Sequence, residues 1–357
     1  MITATLKNKQ VKLKSILMIG LGGAGQRHLR IFRELLPKET KFIAFRAKKS
    51  TPLLNTDFTV DKTSNIENKY NIQLIDTIDE AFKLKPDLVI ISNPTSLHYE
   101  VALAASKRGL NIFLEKPFSH TLEGFEKFRT NVLKNNLLFF MSFQRRYHKL
   151  IVQINELIKS GRLGKIISVS IQVASYVPNW HPYENFRNLY ACKKELGGGV
   201  LLTEIHEIDL CYQFFGMPNW VFCSGGNYSN FSLEVEDTVS AILSYPNFNI
   251  NLSLSFMQQP NRRSINIYGT NAFIESNFET CSLRFKDHDS GEEILHNESN
   301  YTNDDMFYAQ AKYFLNEFNL SNVEAELNAA YSSMLIVEAC KKSIESSKAV
   351  SMKQIFS

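Results

Sequence analysis

Three glycines in the run Gly20-Leu21-Gly22-Gly23-Ala24-Gly25 stand at the spacing G-x-G-x-x-G, which can cradle a pyrophosphate. One closes a tight turn, one lets backbone approach phosphate oxygens, and one lets a helix pack closely on a strand. The implied chemistry is the holding of a dinucleotide with its phosphates on a helix N-terminus. Further on, where such a site reads the adenosine ribose, stands Arg46, followed by Lys48, Lys49 and Ser50. A guanidinium cannot accept from a ribose hydroxyl but suits a 2′-phosphate, so these residues lean toward NADP over NAD. A solvated basic loop is the other reading of the same residues.

A second stretch with chemical potential carries Tyr176, Trp180, His181, Tyr183, Arg187 and Tyr190 around two prolines. Rings can stack on the C–H faces of a sugar while polar tips read its hydroxyls. A surface loop packed by its own aromatics would use the same residue types. Arg145, Arg146, Arg187, Lys193 and Lys194 would suit a nucleotide-linked sugar or a sugar acid, with structural ion pairs as the alternative. Taken alone, Lys116 reads as a solvated strand-end lysine and His206 as a satisfied core histidine. His148, His288 and His296 read as surface residues.

The elements that must hold these residues follow from periodicity. An apolar strand, Ser15–Ile19, feeds the glycines, and Leu29, Ile31, Phe32, Leu35 and Leu36 stripe the helix behind them up to Pro37. Strand and helix then alternate: Lys41 to Phe45, Ile72 to Ile75, a helix opened by Thr77 and Glu80, the apolar run Asp87 to Ser92, a helix stopped by Gly109, and Asn111 to Leu114. A helix over Thr121 to Leu133 and a strand over Leu137 to Met141 complete a parallel α/β domain. Beyond it, alternating segments at Ile166 to Ala174, Asp237 to Tyr245 and Phe248 to Phe256, with shorter ones at 264–268, 272–275 and 281–285, predict mostly antiparallel strands. Helices over Met306 to Phe318 and Leu327 to Ser346 close the chain. The expectation is an arm over 1–14, an N-terminal Rossmann dinucleotide-binding domain over 15–141 and a C-terminal α+β domain over 142–357.

Composition narrows the function class. A net charge of +4 over 357 residues, with no basic block interleaved with aromatics, does not point to nucleic acid. Five scattered cysteines without C-x-x-C spacing suggest neither a disulfide framework nor a zinc site, and fit a reducing cytoplasm. No run is long and apolar enough to predict a membrane span.

Four blocks in order carry a resemblance: Gly20-x-Gly22-x-x-Gly25-x-x-His28, Asn93-Pro94-Thr95-x-x-His98, Glu115-Lys116-Pro117, and Gly197-Gly198-Gly199 followed by His206-Glu207-Ile208-Asp209. Spanning about residues 14 to 216, they resemble the glucose-fructose oxidoreductase / inositol dehydrogenase (Gfo/Idh/MocA) family. The resemblance implies a Rossmann domain beside a domain with a large open sheet, which in such proteins pairs subunits into homodimers or homotetramers. It also implies hydride transfer between NAD(P) and a secondary hydroxyl or keto carbon of a sugar, nucleotide sugar or cyclitol. Cofactor contacts would come from Gly20, Gly22, Gly23, Ala24, Gly25, Arg46, Asn93, Pro94, His98, Glu115 and Lys116, and no metal is implied. Lys116, His206 and Asp209 would be catalytic. Arg145, Tyr176, Trp180, His181, Tyr183, Arg187, Tyr190, Glu204 and His206 would meet the substrate.

The chain departs from that pattern at one position. Relatives commonly place an aspartate one helical turn before the histidine, and Leu202 stands there. Thr203, Glu204 and Asp209 are the nearest polar substitutes, and Asp209 has the better helical spacing to orient His206. Three other classes of function remain open to the same residues: an NAD-dependent glycosidase, a cofactor-binding protein without net turnover, and an imine or enone reductase.

Overall fold

The computed structural model describes residues 13–47 and 51–355. Nearly all of the expected N-terminal arm, and Lys48, Lys49 and Ser50 of the basic loop, lie outside the described residues. The chain divides into two units, one holding the described residues up to Gln144 together with His181–Tyr183 and Phe307–Tyr331, the other holding the rest.

In the first unit, β1 (Ser15–Ile19), α1 (Gly23–Leu35), β2 (Lys41–Phe45), α2 (Ile66–Tyr70), β3 (Ile72–Ile75), α3 (Ile78–Lys83), β4 (Leu88–Ile91), α4 (His98–Lys107), β5 (Asn111–Glu115), α5 (Phe125–Lys134) and β6 (Phe139–Ser142) follow one another. All six strands are parallel, in the order β3-β2-β1-β4-β5-β6. This is the doubly wound order, with its switch point between β1 and β4. Each residue of β4 and of β6 is buried, which is why both read as unbroken apolar runs. Thr77 caps α3 by accepting from the Glu80 N–H. The polar connection over 55–69 holds α2, and α5 starts at Phe125, later than its sequence pattern predicts, after Gly124 in the left-handed region.

The second unit contains α6 (Lys149–Lys159), β7 (Ile166–Tyr176), α7 (Val200–Thr203), α8 (Ile205–Phe215), β8 (Trp220–Gly226), β9 (Thr238–Ser244), β10 (Asn249–Ser255), β11 (Met257–Gly269), β12 (Ala272–Asn277), β13 (Ser282–Asp287) and β14 (Glu293–Asn297). After α9 (Asn303–Asn316) and α10 (Val323–Ser346) come β15 (Val350–Ser351) and α11 (Met352–Ile355). Its nine-stranded sheet runs β14-β13-β12-β11-β7-β10-β9-β8-β15 and is antiparallel except at β7–β10. Ile250, Leu252 and Leu254 are buried on one face, while Ile167, Phe222, Ile242, Tyr268 and Leu295 are exposed large apolar residues. Strands β8 and β14 have no counterpart in the sequence reading. The start of β11 is polar and its register slips between Met257 and Arg262, which conceals its full length.

From Phe307 to Tyr331, α9 and the start of α10 belong to the first unit rather than to the C-terminal half where sequence places them. The reason is a cluster of rings: Phe314 lies 5.3 Å from Phe113 and 5.3 Å from Phe140, and Phe318 lies 5.0 Å from Phe140. Burial of such side chains, each stabilising by about 1.5–3 kcal/mol, holds the segment there.

Candidate active site

The glycine turn has the form a phosphate cradle requires. Gly20 has φ +89°, and a Cβ there would lie 2.8 Å from the Asn93 nitrogen; a Cβ on Gly25 would lie 2.3 Å from the Gly20 carbonyl oxygen. Gly22 is different: nothing stands within 4 Å of where its Cβ would be. It precedes α1, whose first turn has no side-chain cap and no acidic residue, so the helix offers its positive end to open space. Gly23 lies under the Phe58 ring, and Ala24 is exposed in the same turn. Ser92 Oγ locks the turn by donating to the Gly20 carbonyl at 2.9 Å. Asn93 Oδ1 is buried with no hydrogen-bond partner among the described residues. An uncapped helix end and an open glycine fit a pyrophosphate, and the orphaned amide oxygen fits a hydroxyl or amide donor of the same cofactor.

Arg46 is paired within its own unit. Its Nη1 donates to Glu67 at 2.5 Å and its Nη2 to the Thr51 carbonyl at 3.0 Å. His98 is buried and joins two turns, with Nδ1 2.7 Å from the Pro117 carbonyl and Nε2 2.8 Å from the Asn93 carbonyl. Burial pulls its pKa down, against the raising effect of both carbonyls. Pro94 opens the short turn between them.

Glu115 organises the end of β5. It lies 2.6 Å from His28 Nε2 on α1, accepts from Ser142 Oγ at 3.0 Å, and accepts from the Lys116 backbone N–H at 3.1 Å. Burial pushes its carboxyl up, but His28, Lys116 and Ser142 outweigh it and hold the group below the ordinary carboxylate range. Gln310 of α9, in the amide orientation that satisfies both its ends, donates to Ser142 Oγ and accepts from the N–H groups of Phe143 and Gln144. The backbone carrying Lys116 is thus fixed from three elements. His28 is the residue whose structural importance sequence underrates.

In the second unit, His206 is buried in the first turn of α8, just past the break at Glu204 that separates it from α7. Asp209, one turn on, accepts from Arg146 Nε at 2.8 Å and Nη2 at 2.7 Å and from Ser333 Oγ at 3.2 Å. Glu204 accepts from Arg263 Nη2 at 2.7 Å, and Glu207 accepts from Nη1 of the same guanidinium. Burial and the Glu204 charge raise the Glu207 carboxyl; the two glutamates raise Arg263 against its own burial. Arg145 lies in the same field, pulled down to about 10 by burial and by Arg263.

His148, expected at the surface, is buried against Phe278 and Tyr301. It caps α6: its Nδ1 accepts from the Leu150 N–H at 3.2 Å, which requires that nitrogen unprotonated. Burial, with Arg145 and Arg263 nearby, holds the imidazole down to about 3. The unfolded chain takes up a proton near pH 6.5 that the folded chain refuses. His148 therefore contributes stability that is fully present above pH ~6.5 and is lost as pH falls toward ~3. His148→Asn keeps a capping oxygen without titrating, and the fall in urea midpoint between pH 7 and pH 4.5 should be shallower in that variant than in wild type. Equal slopes would show that His148 protonates freely in the folded chain.

The aromatic stretch does not act as one group. Tyr176, Asn179 and Trp180 line a pocket of about 270 Å³ with Gln259, Pro260 and Asn261 from β11. His181 and Tyr183 stack on each other in the first unit, with Phe58 5.3 Å from His181. Arg187 lies over Phe186 and Phe231, and the Tyr190 carbonyl accepts from the Lys193 N–H at 3.1 Å and lies 2.5 Å from where a Cβ on Gly198 would fall. Gln259 and Asn261 escaped sequence reading; two amides in the strand opposite Tyr176 were the available signal.

A six-stranded parallel sheet with an open glycine cradle at its switch point, in one chain with a second unit that holds a mixed sheet and a histidine buried in its helix α8, defines a two-part dinucleotide-binding protein. Residues 14–143 match the oxidoreductase family with an NAD-binding Rossmann fold, and residues 151–275 match the GFO/IDH/MocA C-terminal domain. The chain belongs to the Gfo/Idh/MocA oxidoreductase family. Levoglucosan dehydrogenase of Pseudarthrobacter phenanthrenivorans is 23% identical over 54% of this chain and 56% of its own length. For the 2,7-anhydro-N-acetylneuraminate hydratase of Mediterraneibacter gnavus the figures are 28%, 40% and 37%, and for myo-inositol 2-dehydrogenase of Thermotoga maritima 25%, 36% and 36%. The chain thus spans about half, or less, of the length of these relatives. In fold, it superposes on a levoglucosan dehydrogenase complexed with NADH at a TM-score of 0.78 (17% identity, 95% and 98% of the two chains covered). A myo-inositol 2-dehydrogenase from Lactobacillus plantarum gives 0.74 (19%, 95% and 99%).

Proposed function

We propose that this protein is a nicotinamide-dependent dehydrogenase that interconverts a secondary hydroxyl and a keto group on a neutral sugar or cyclitol. The observation that carries the reading is the glycine cradle, open at Gly22, on the same sheet as the Glu115-fixed Lys116. When bound, the nicotinamide supplies the acceptor or donor of hydride. Lys116 then holds the oxygen as negative charge develops on it, and His206 takes the hydroxyl proton. Asp209, bound by Arg146 and Ser333, fixes the helix turn that presents His206.

Neutrality of the substrate is supported by where three of the five basic residues go. Arg146 is paired with Asp209, Lys193 lies 3.8 Å from Glu195, and Arg187 rests on aromatic rings. The pocket of Tyr176, Trp180 and four amide or proline neighbours offers stacking and neutral hydrogen bonds instead. Three of the relatives carry names that agree: levoglucosan dehydrogenase, D-glucoside 3-dehydrogenase and myo-inositol 2-dehydrogenase. The exposed apolar residues of the nine-stranded sheet support a second copy of the chain against that face, which sedimentation would show as a dimer or tetramer. Incubation with NAD or NADP and a panel of neutral sugars, cyclitols, sugar acids and nucleotide sugars should give net nicotinamide absorbance with the neutral members. Turnover confined to the anionic members would overturn the substrate class, and catalysis without any absorbance change would overturn the dehydrogenase.

A further inference from the structure

We infer that Glu67, acting through Arg46, sets the choice between the two nicotinamide dinucleotides in favour of the one without a 2′-phosphate. The inference rests on the dinucleotide reading above. Arg46 is the first residue past β2, and the carbonyl of its neighbour Phe45 accepts from the Gly20 N–H at 3.3 Å. The end of β2 therefore abuts the first glycine of the cradle, where this fold reads the adenosine ribose. An unpaired arginine there would welcome a phosphate.

This arginine is already matched. Only 8% of Arg46 is exposed, and its guanidinium is shared between the Glu67 carboxylate and the Thr51 carbonyl. Glu67 cannot easily swing away, because α2 is anchored at both ends. Asn65 caps it by accepting from the Asn68 N–H at 2.8 Å, and Ile66 beside Glu67 is buried. At the other end, Arg33 donates to the carbonyls of Tyr70 and Asn71 at 2.7 and 3.1 Å while its guanidinium lies over the Phe42 ring of β2. Glu67 keeps 26% of its side chain exposed, so its charge faces whatever approaches Arg46. A 2′-phosphate with a charge near −2 arriving there meets the Glu67 carboxylate already paired with Arg46, and like charges repel across a half-dry site. A ribose hydroxyl is neutral and can donate to a carboxylate, so it meets no such barrier.

The test is binding rather than turnover: NADH and NADPH are titrated into wild type, Glu67→Gln and the double variant Glu67→Gln/Arg46→Leu, following nicotinamide fluorescence. Wild type should bind NADH at least tenfold more tightly than NADPH. Glu67→Gln should improve NADPH affinity by about tenfold and change NADH affinity less, and removing Arg46 as well should abolish that gain. Tighter NADPH binding by wild type, or a Glu67→Gln ratio equal to that of wild type, would overturn the inference. Should Glu67→Gln fail to fold, the wild-type ratio alone decides. Binding of neither dinucleotide would instead bring down the cofactor reading, and the inference with it.

Discussion

Replacing Lys116 by methionine is expected to lower kcat by ~10² or more while the Kd for NADH stays within about twofold of wild type, the size of loss usual when one donor to a developing oxyanion is removed. Methionine keeps the length of the side chain and removes the ammonium. The backbone should not move, because it is held by groups that the substitution leaves alone: Glu115 takes the Lys116 N–H, and His28 and Ser142 hold Glu115. The loss is thus confined to the charge. Single-turnover rates and an NADH titration on the same preparations separate the outcomes. A parallel collapse of NADH binding would make the lysine a cofactor contact rather than the group that steadies the substrate oxygen.

His206→Asn should lower kcat/KM by ~10²–10⁴, the usual contribution of a positioned general base, with a melting temperature near that of wild type. Its neighbours should behave differently. Asp209 is buried and held by Arg146 and Ser333, so Asp209→Asn breaks a buried ion pair and should cost about 3–5 kcal/mol of stability as well as activity. Glu204 shares Arg263 with Glu207, and Glu204→Gln should leave the pH dependence of kcat/KM in place. A pH-rate profile for all three variants distinguishes these roles. Near-wild-type activity in His206→Asn together with a dead Glu204→Gln would move the base to Glu204.

What could be read without coordinates was what is local. Gly20, Gly22 and Gly25 sit within six residues, and their meaning depends only on the strand before them and the helix after. The central parallel strands were legible because burial on both faces writes itself as continuous apolar runs, as in Leu88–Ile91, whereas the edge strand β3 is half exposed. Arg46 shows the limit: its residue type pointed to a phosphate, and only folding brings Glu67 to it from the far side of a polar connection. The surface reading of His148 was wrong, since a histidine in a basic stretch reads as exposed until Phe278 and Tyr301 close over it. Arg263 was invisible as a partner of Glu204 and Glu207 because its placement follows from the pairing of β11 with β7, which puts it opposite Val173.

The return of Phe307–Tyr331 to the first unit has a consequence for the order in which the protein is made. A ribosome finishes β6 long before it reaches Phe314 and Phe318, the rings that cover Phe113 and Phe140. At about 5–20 residues per second, the nascent nucleotide-binding sheet waits on the order of ten seconds or more with that aromatic surface bare. The unit that begins first is therefore among the last to be completed, and the intervening sheet is synthesised while the aromatic surface of the first is still uncovered.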